Sequence, residues 1–167
     1  MEKAIKSIAT NYGLYLGIFS IIILLIMYLL NIEKNWTISI VSFSGTISIF
    51  IFGIKAFKKK QLGVLKLNEA IKVGLAIAAI GGVIAALYTY FHYSYIQPEF
   101  IENIREQALE EMTKKSTNLT NEQLQKANDL NNMFTSPFAM STFTLIGNLI
   151  IGIISSLFIG LIMKKEQ

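Results

Sequence analysis

Residues 73–98 read VGLAIAAIGGVIAALYTYFHYSYIQP, a run without a single Asp, Glu, Lys or Arg. A helix rises about 1.5 Å per residue and the hydrocarbon core of a bilayer is about 30 Å thick, so a run of this length is enough to cross it. Three further stretches, 7–32, 35–54 and 130–163, are equally free of these residues. Charged residues are 16% of the 167-residue chain and hydrophobic ones 53%. The charges gather between the apolar runs, as expected where lipid excludes them from helix centres at a cost of about 2.5–3.5 kcal/mol each. The chain therefore reads as an all-α polytopic membrane protein with four transmembrane helices, since a barrel would need many short alternating strands.

The spans are placed at about 12–30, 36–54, 71–92 and 138–163, within one membrane domain covering 1–167. The apolar run from Tyr12 to Leu30 exceeds the 7–15 residues of a signal-peptide core, and no small-residue cleavage site follows it, so it is read as a retained first span. Short connections between the first three spans make sequential neighbours antiparallel, which gives an up-down bundle.

Lys and Arg set the orientation. Lys3 and Lys6 precede span one, Lys55, Lys58, Lys59, Lys60, Lys66 and Lys72 lie between spans two and three, and Lys164 and Lys165 follow span four. All of them fall on one side of a four-span chain. The other side has Lys34 and a long loop in which acids outnumber bases. The positive-inside rule then puts both termini in the cytoplasm and the long loop on the opposite side of the membrane. Lys58, Lys59 and Lys60 are expected to attract anionic lipid headgroups. Tyr28, Trp36, Tyr88, Tyr90, Phe91, Tyr93 and Tyr95 mark the opposite border as an interfacial aromatic belt.

In lipid, helices associate through close approach and dispersion, so small residues should line the contacts. Span three carries Gly74, Ala78, Gly82 and Ala86 at four-residue spacing. Span four carries Gly152, Ser156 and Gly160, with Asn148 one turn earlier on the same face, and span one carries Gly13 and Gly17. Span two is weaker, with Ser44 and Ser48 as its best pair. A bulky residue at Gly82 is expected to wedge span three from its neighbour.

Residues 98–135 have a different composition and read as an external amphipathic helical hairpin. Pro98 suits a first helical turn, Glu99 and Glu102 suit its positive dipole end, and Ile101, Ile104, Ala108 and Met112 share a face. Thr120 and Gln123 form a capping-box pattern flanked by Leu119 and Leu124, positions of a hydrophobic staple. Leu124, Ala127 and Phe134 continue the apolar face of a second helix, and Ser136-Pro137 opens span four.

Asn11-Tyr12-Gly13 at the start of span one, Gly63 with Glu69-Ala70 and Gly74 entering span three, Tyr95-Ile96-Gln97-Pro98-Glu99-Phe100 leaving it, and Gly152 followed by Ser155-Ser156-Leu157 in span four carry a family resemblance. In their order and spacing they resemble the bacterial membrane family catalogued as domain of unknown function 4199. That resemblance implies a four-span inner-membrane protein of Gram-negative bacteria, and no activity, substrate or catalytic residue.

Chemical constellations are sparse. There is no cysteine and only one histidine, His92, so thiolate and multi-histidine metal sites within one chain are excluded. His92 is placed at the aqueous border among aromatics, where an ordinary interfacial histidine is expected. Gly81-Gly82 lacks the following Lys-Ser/Thr of a phosphate loop. Glu110-Glu111 beside Lys114 reads as a solvated helix face. No cofactor, no nucleic-acid partner and no enzymatic activity are expected. The leading functional reading is a non-enzymatic interaction or assembly element of the envelope, with the bilayer as partner and residues 99–134 meeting a second copy or an envelope protein. The alternative is a passive or facilitated small-solute carrier with a polar route near Asn148, the strongest polar candidate inside a span along with Asn11.

Overall fold

The computed structural model describes residues 2–32, 36–115 and 120–165. Its helices are α1 (Glu2–Leu29), α2 (Trp36–Lys60), α3 (Leu67–Phe91), α4 (Pro98–Lys115), α5 (Asn121–Phe134) and α6 (Pro137–Met163), with a π-helical segment His92–Ile96 between α3 and α4. The four long ones are apolar enough to cross a membrane. Two of the expected spans run to Leu30 and His92, one residue past the ends of α1 and α3. α1 starts ten residues before Tyr12, because loss of charge marks where lipid begins and not where hydrogen bonding along the helix must begin; Ile8 and Ala9 in this extension are buried.

The chain divides into two compact units, one of Met1–Ala85 with Thr144–Gln167 and one of Ala86–Phe143. In the first unit, α1, α2 and the adjoining parts of α3 and α6 alternate in direction. Gly13 lies against Ile80 and Gly17 against Ile84, a register that rises together, so α1 and α3 are parallel. Gly45 of α2 meets Phe19 and Gly53 meets Tyr12, so α1 and α2 are antiparallel. The core is Leu16, Phe50, Ile54, Phe57, Leu65, Val73 and Ile77, all fully buried.

Helix ends follow from backbone chemistry. α1 closes with Asn31 at φ +50° and the bonds Asn31 N–H to Tyr28 O (3.1 Å) and Ile32 N–H to Met27 O (2.9 Å), a left-handed cap that occupies otherwise orphaned carbonyls. After α2, Leu62 and Gly63 both take positive φ, +54° and +89°. Glycine adopts this conformation freely and leucine only at a cost. The chain then pairs Leu65 with Lys165 through two backbone bonds of 3.1 and 3.0 Å, tying the α2–α3 connection to the end of α6. Glu69 reaches back to accept a bond from the Lys66 N–H (3.0 Å), half of a capping box at the start of α3.

The second unit contains the end of α3, the π-helical segment, α4, α5 and the first turns of α6. Pro98 occupies the first position of α4. The complete capping box at α5 is present: Gln123 N–H donates to Thr120 Oγ1 (3.3 Å) and Thr120 N–H to Gln123 Oε1 (2.9 Å). The staple partner Leu119 lies outside the described residues. Ser136 caps α6, accepting from the Ala139 N–H at 3.2 Å, with Pro137 as first residue.

Candidate functional site

The small residues of α3 and α6 meet in a strict antiparallel register. Gly160 faces Ala70, Ser156 faces Gly74, Gly152 faces Ala78 and Asn148 faces Gly82. A Cβ added at Gly160 would stand 2.8 Å from that of Ala70, and one at Gly82 3.1 Å from that of Asn148. At Gly74 and Gly152 the space is smaller still, with the opposing side chains of Ser156 and Ala78 inside any normal contact distance. Ala86 is half-buried and belongs to the second unit. On the α1 side the pattern differs, because glycines there receive β-branched knobs and Gly81 receives Leu16. Sequence reading passed over Gly45, Gly53 and Gly81; no small residue lies four away on the same helix to form a stripe with Gly45 or Gly53. Ser44 and Ser48 remain exposed, with Ser48 Oγ bonded to the Ser44 carbonyl (2.8 Å) of its own helix.

At the lysine-rich ends of these helices lies a cleft of about 570 Å³ lined by Tyr12, Phe52, Lys55, Ala56, Lys58, Lys59, Gly63 and Met163. The lysines named for headgroups have separate settings. Lys58 Nζ donates to the Met163 carbonyl at 2.7 Å and so caps the C-terminus of α6, where cations are favoured. Lys60 Nζ donates to Ser7 Oγ at 3.2 Å. Lys59 is exposed, as is Lys55.

In the second unit, α4 and α5 are clasped by polar groups. Arg105 Nε donates to Thr135 Oγ1 (3.1 Å), Asn131 Nδ2 donates to the Arg105 carbonyl (2.9 Å), and Thr135 Oγ1 donates to the Asn131 carbonyl (2.6 Å). Asn131 and Thr135 are buried. The apolar face expected for α5 is thereby rotated: Leu124 and Ala127 are half-buried beside this clasp, whereas Phe134 turns outward. Leu130 is 54% exposed, Met133 64% and Phe134 49%, with Phe134 stacked on Phe143 at 6.3 Å.

His92 lies among aromatic rings and is not solvated. It is fully buried in the π-helical segment, with Nε2 3.3 Å from Gln97 Oε1 and rings of Tyr88 and Tyr93 at 5.7 and 5.2 Å. Tyr93 in turn stacks on Phe100 at 5.0 Å. Trp36, Tyr90, Phe91 and Tyr95 are exposed, the disposition of interfacial anchors. Asn148 donates from Nδ2 to the Thr144 carbonyl at 2.8 Å, within its own helix, and Asn11 is exposed. Among the described residues no cluster of three or more His, Asp or Glu side chains is placed to hold a metal ion.

Four long apolar helices packed through glycine-rich seams define a polytopic all-α membrane protein. Residues 11–165 match the family model described as "Protein of unknown function (DUF4199)", and the chain belongs to that family. No curated protein and no solved structure matches it.

Proposed function

We propose that the protein is a non-enzymatic interaction element of a bacterial inner membrane, with both termini cytoplasmic and the α4–α5 hairpin outside, where it docks an envelope protein. The observation that carries this reading is the outward apolar set Leu130, Met133 and Phe134 on an otherwise polar helix. Its inward face is already satisfied by the Arg105–Asn131–Thr135 clasp, so the exposed side chains are surplus to hairpin packing. Surplus apolar side chains on a polar helix suit a partner surface. The lysine distribution supports the orientation.

A photo-crosslinking residue at the exposed Asp129, one turn before Met133 on α5, used in native membranes, should capture one stoichiometric partner. Leu130→Asn with Met133→Asn should abolish capture while leaving the purified protein as stable as before. Capture that survives the double substitution, or no stoichiometric product from Asp129, would remove the hairpin from the proposed role. Because the chain has no cysteine, a single cysteine at Lys59 reports orientation; labelling by an impermeant thiol reagent from outside intact cells would reverse the topology.

A further inference from the structure

We propose that the cleft at the lysine-rich end of the first unit is a binding site for an anionic phospholipid of the surrounding bilayer, with the phosphate held by Lys55 and Lys59 and an acyl chain laid along Phe52. The inference stands on the first unit alone and is independent of what the hairpin does.

Phe52, Lys55, Ala56 and Lys59 fall at helical positions i, i+3, i+4 and i+7, so one face of α2 passes from an aromatic ring to two ammonium groups within two turns. All four line the same 570 Å³ cleft, whose other walls come from Tyr12, Lys58, Gly63 and Met163. A phospholipid has this same sequence of chemistry, apolar chain then anionic phosphate, and basic pockets between transmembrane helices recognise such headgroups. No acidic residue belongs to the lining, so three lysines share one concavity without a countercharge in its walls. Lys58 is already engaged with the Met163 carbonyl, and Lys60 is turned to Ser7. That leaves Lys55 and Lys59, both exposed, as the pair presented to a ligand, only Lys59 of which belongs to the Lys58–Lys60 run. Free inorganic phosphate would meet the lysines but leave the Phe52, Ala56 and Met163 walls uncovered, which favours the lipid.

The full-length protein, purified in a neutral detergent, is titrated with phosphatidylglycerol, with phosphatidylcholine of the same chains, and with inorganic phosphate, and both bound lipid by native mass spectrometry and the melting temperature are read. Phosphatidylglycerol should bind at one site and raise the melting temperature; the other two should do neither at equal concentration. Lys55→Gln with Lys59→Gln should weaken that binding about thirty-fold, at roughly fivefold per lysine near a surface, and Lys60→Gln should leave it unchanged. Phe52→Asn should weaken phosphatidylglycerol too. Equal response to phosphatidylcholine, full response to inorganic phosphate, or phosphatidylglycerol binding that ignores the Lys55/Lys59 pair would each overturn the proposal.

Discussion

Gly152→Ala adds one carbon at one of the two tightest positions of the α3–α6 seam. The new Cβ would fall on the Ala78 methyl, closer than the 3.0 Å below which something must shift, while the Gly74 carbonyl and the Phe50 ring stand at 3.3 Å on its other sides. Carbon atoms are at their optimum about 3.5–4.0 Å apart, so α3 and α6 would have to part by about 1 Å. The Ala78 methyl and the Gly74 carbonyl are not far ends of flexible chains. Overpacking of this kind costs about 1–3 kcal/mol. Against it stands the helical gain of replacing glycine, at most about 1 kcal/mol. Gly147 lies on the same helix and has nothing within 4 Å of its Cβ position, so Gly147→Ala measures that gain alone. The difference between the two variants should then be about 1–3 kcal/mol in SDS-titrated unfolding of the purified protein in mixed micelles. Ala78→Gly removes the atom in conflict, so it should restore part of the loss when combined with Gly152→Ala, with a coupling of about 1 kcal/mol in a double-mutant cycle. Equal stability of Gly152→Ala and Gly147→Ala, or a double variant no better than the sum of its parts, would refute the register that pairs these residues.

Thr135→Val should cost about 1–2 kcal/mol locally, because it deletes both the acceptor for Arg105 and the donor to the Asn131 carbonyl at a buried position; faster amide exchange across α4 and α5, with the α3–α6 seam unaffected, checks it. Thr120→Ala removes the α5 capping box and should raise exchange in the first turn of α5 by a factor corresponding to about 1 kcal/mol. Leu62→Asn should stabilise the protein by up to about 1 kcal/mol, since Leu62 is 96% exposed and holds a left-handed φ of +54° that asparagine accepts more readily; an unchanged unfolding midpoint would mean that the loop relaxes this strain at no cost.

What could be read in advance was whatever depends on local spacing. Lipid penalises charge at every position of a span, so the four helices were legible from absence of charge alone. The Gly74–Ala78–Gly82 and Gly152–Ser156–Gly160 stripes were legible because contact at a seam requires small residues on one helical face. The capping box at Thr120 and the proline starts at Pro98 and Pro137 are likewise properties of a few adjacent residues. Contacts that depend on a distant partner were not legible. Lys58 looks like its two neighbours until the Met163 carbonyl, 105 residues away, takes its ammonium group. Asn131 and Thr135 look like solvated positions until Arg105 arrives from α4, and their burial is what turns Phe134 outward. The buried setting of His92 depends on a π-helical turn whose i to i−5 bond, Gln97 N–H to the His92 carbonyl at 2.9 Å, has no sequence signature.

The two seams of α3 bear on what the first unit can do. On one face, Ala70, Gly74, Ala78 and Gly82 interlock with α6 at backbone distance; on another, Ile77, Ile80, Gly81 and Ile84 take glycines and Leu16 of α1. A carrier working by rocking half of such a unit would have to slide one of these seams, and each sliding step carries a Cβ into a backbone or a β-branched side chain. Packed interfaces of this kind switch between discrete arrangements and do not deform continuously. Asn148, the polar group a solute would need, is turned onto its own helix and lies over Gly82. In α2 before Phe50, Trp36, Ile40, Val41 and Phe43 are exposed, and the segment meets α1 where Gly45 receives the Phe19 ring. The seams of α3 are therefore the part of the first unit least able to slide, and the first half of α2 presents apolar surface beside them.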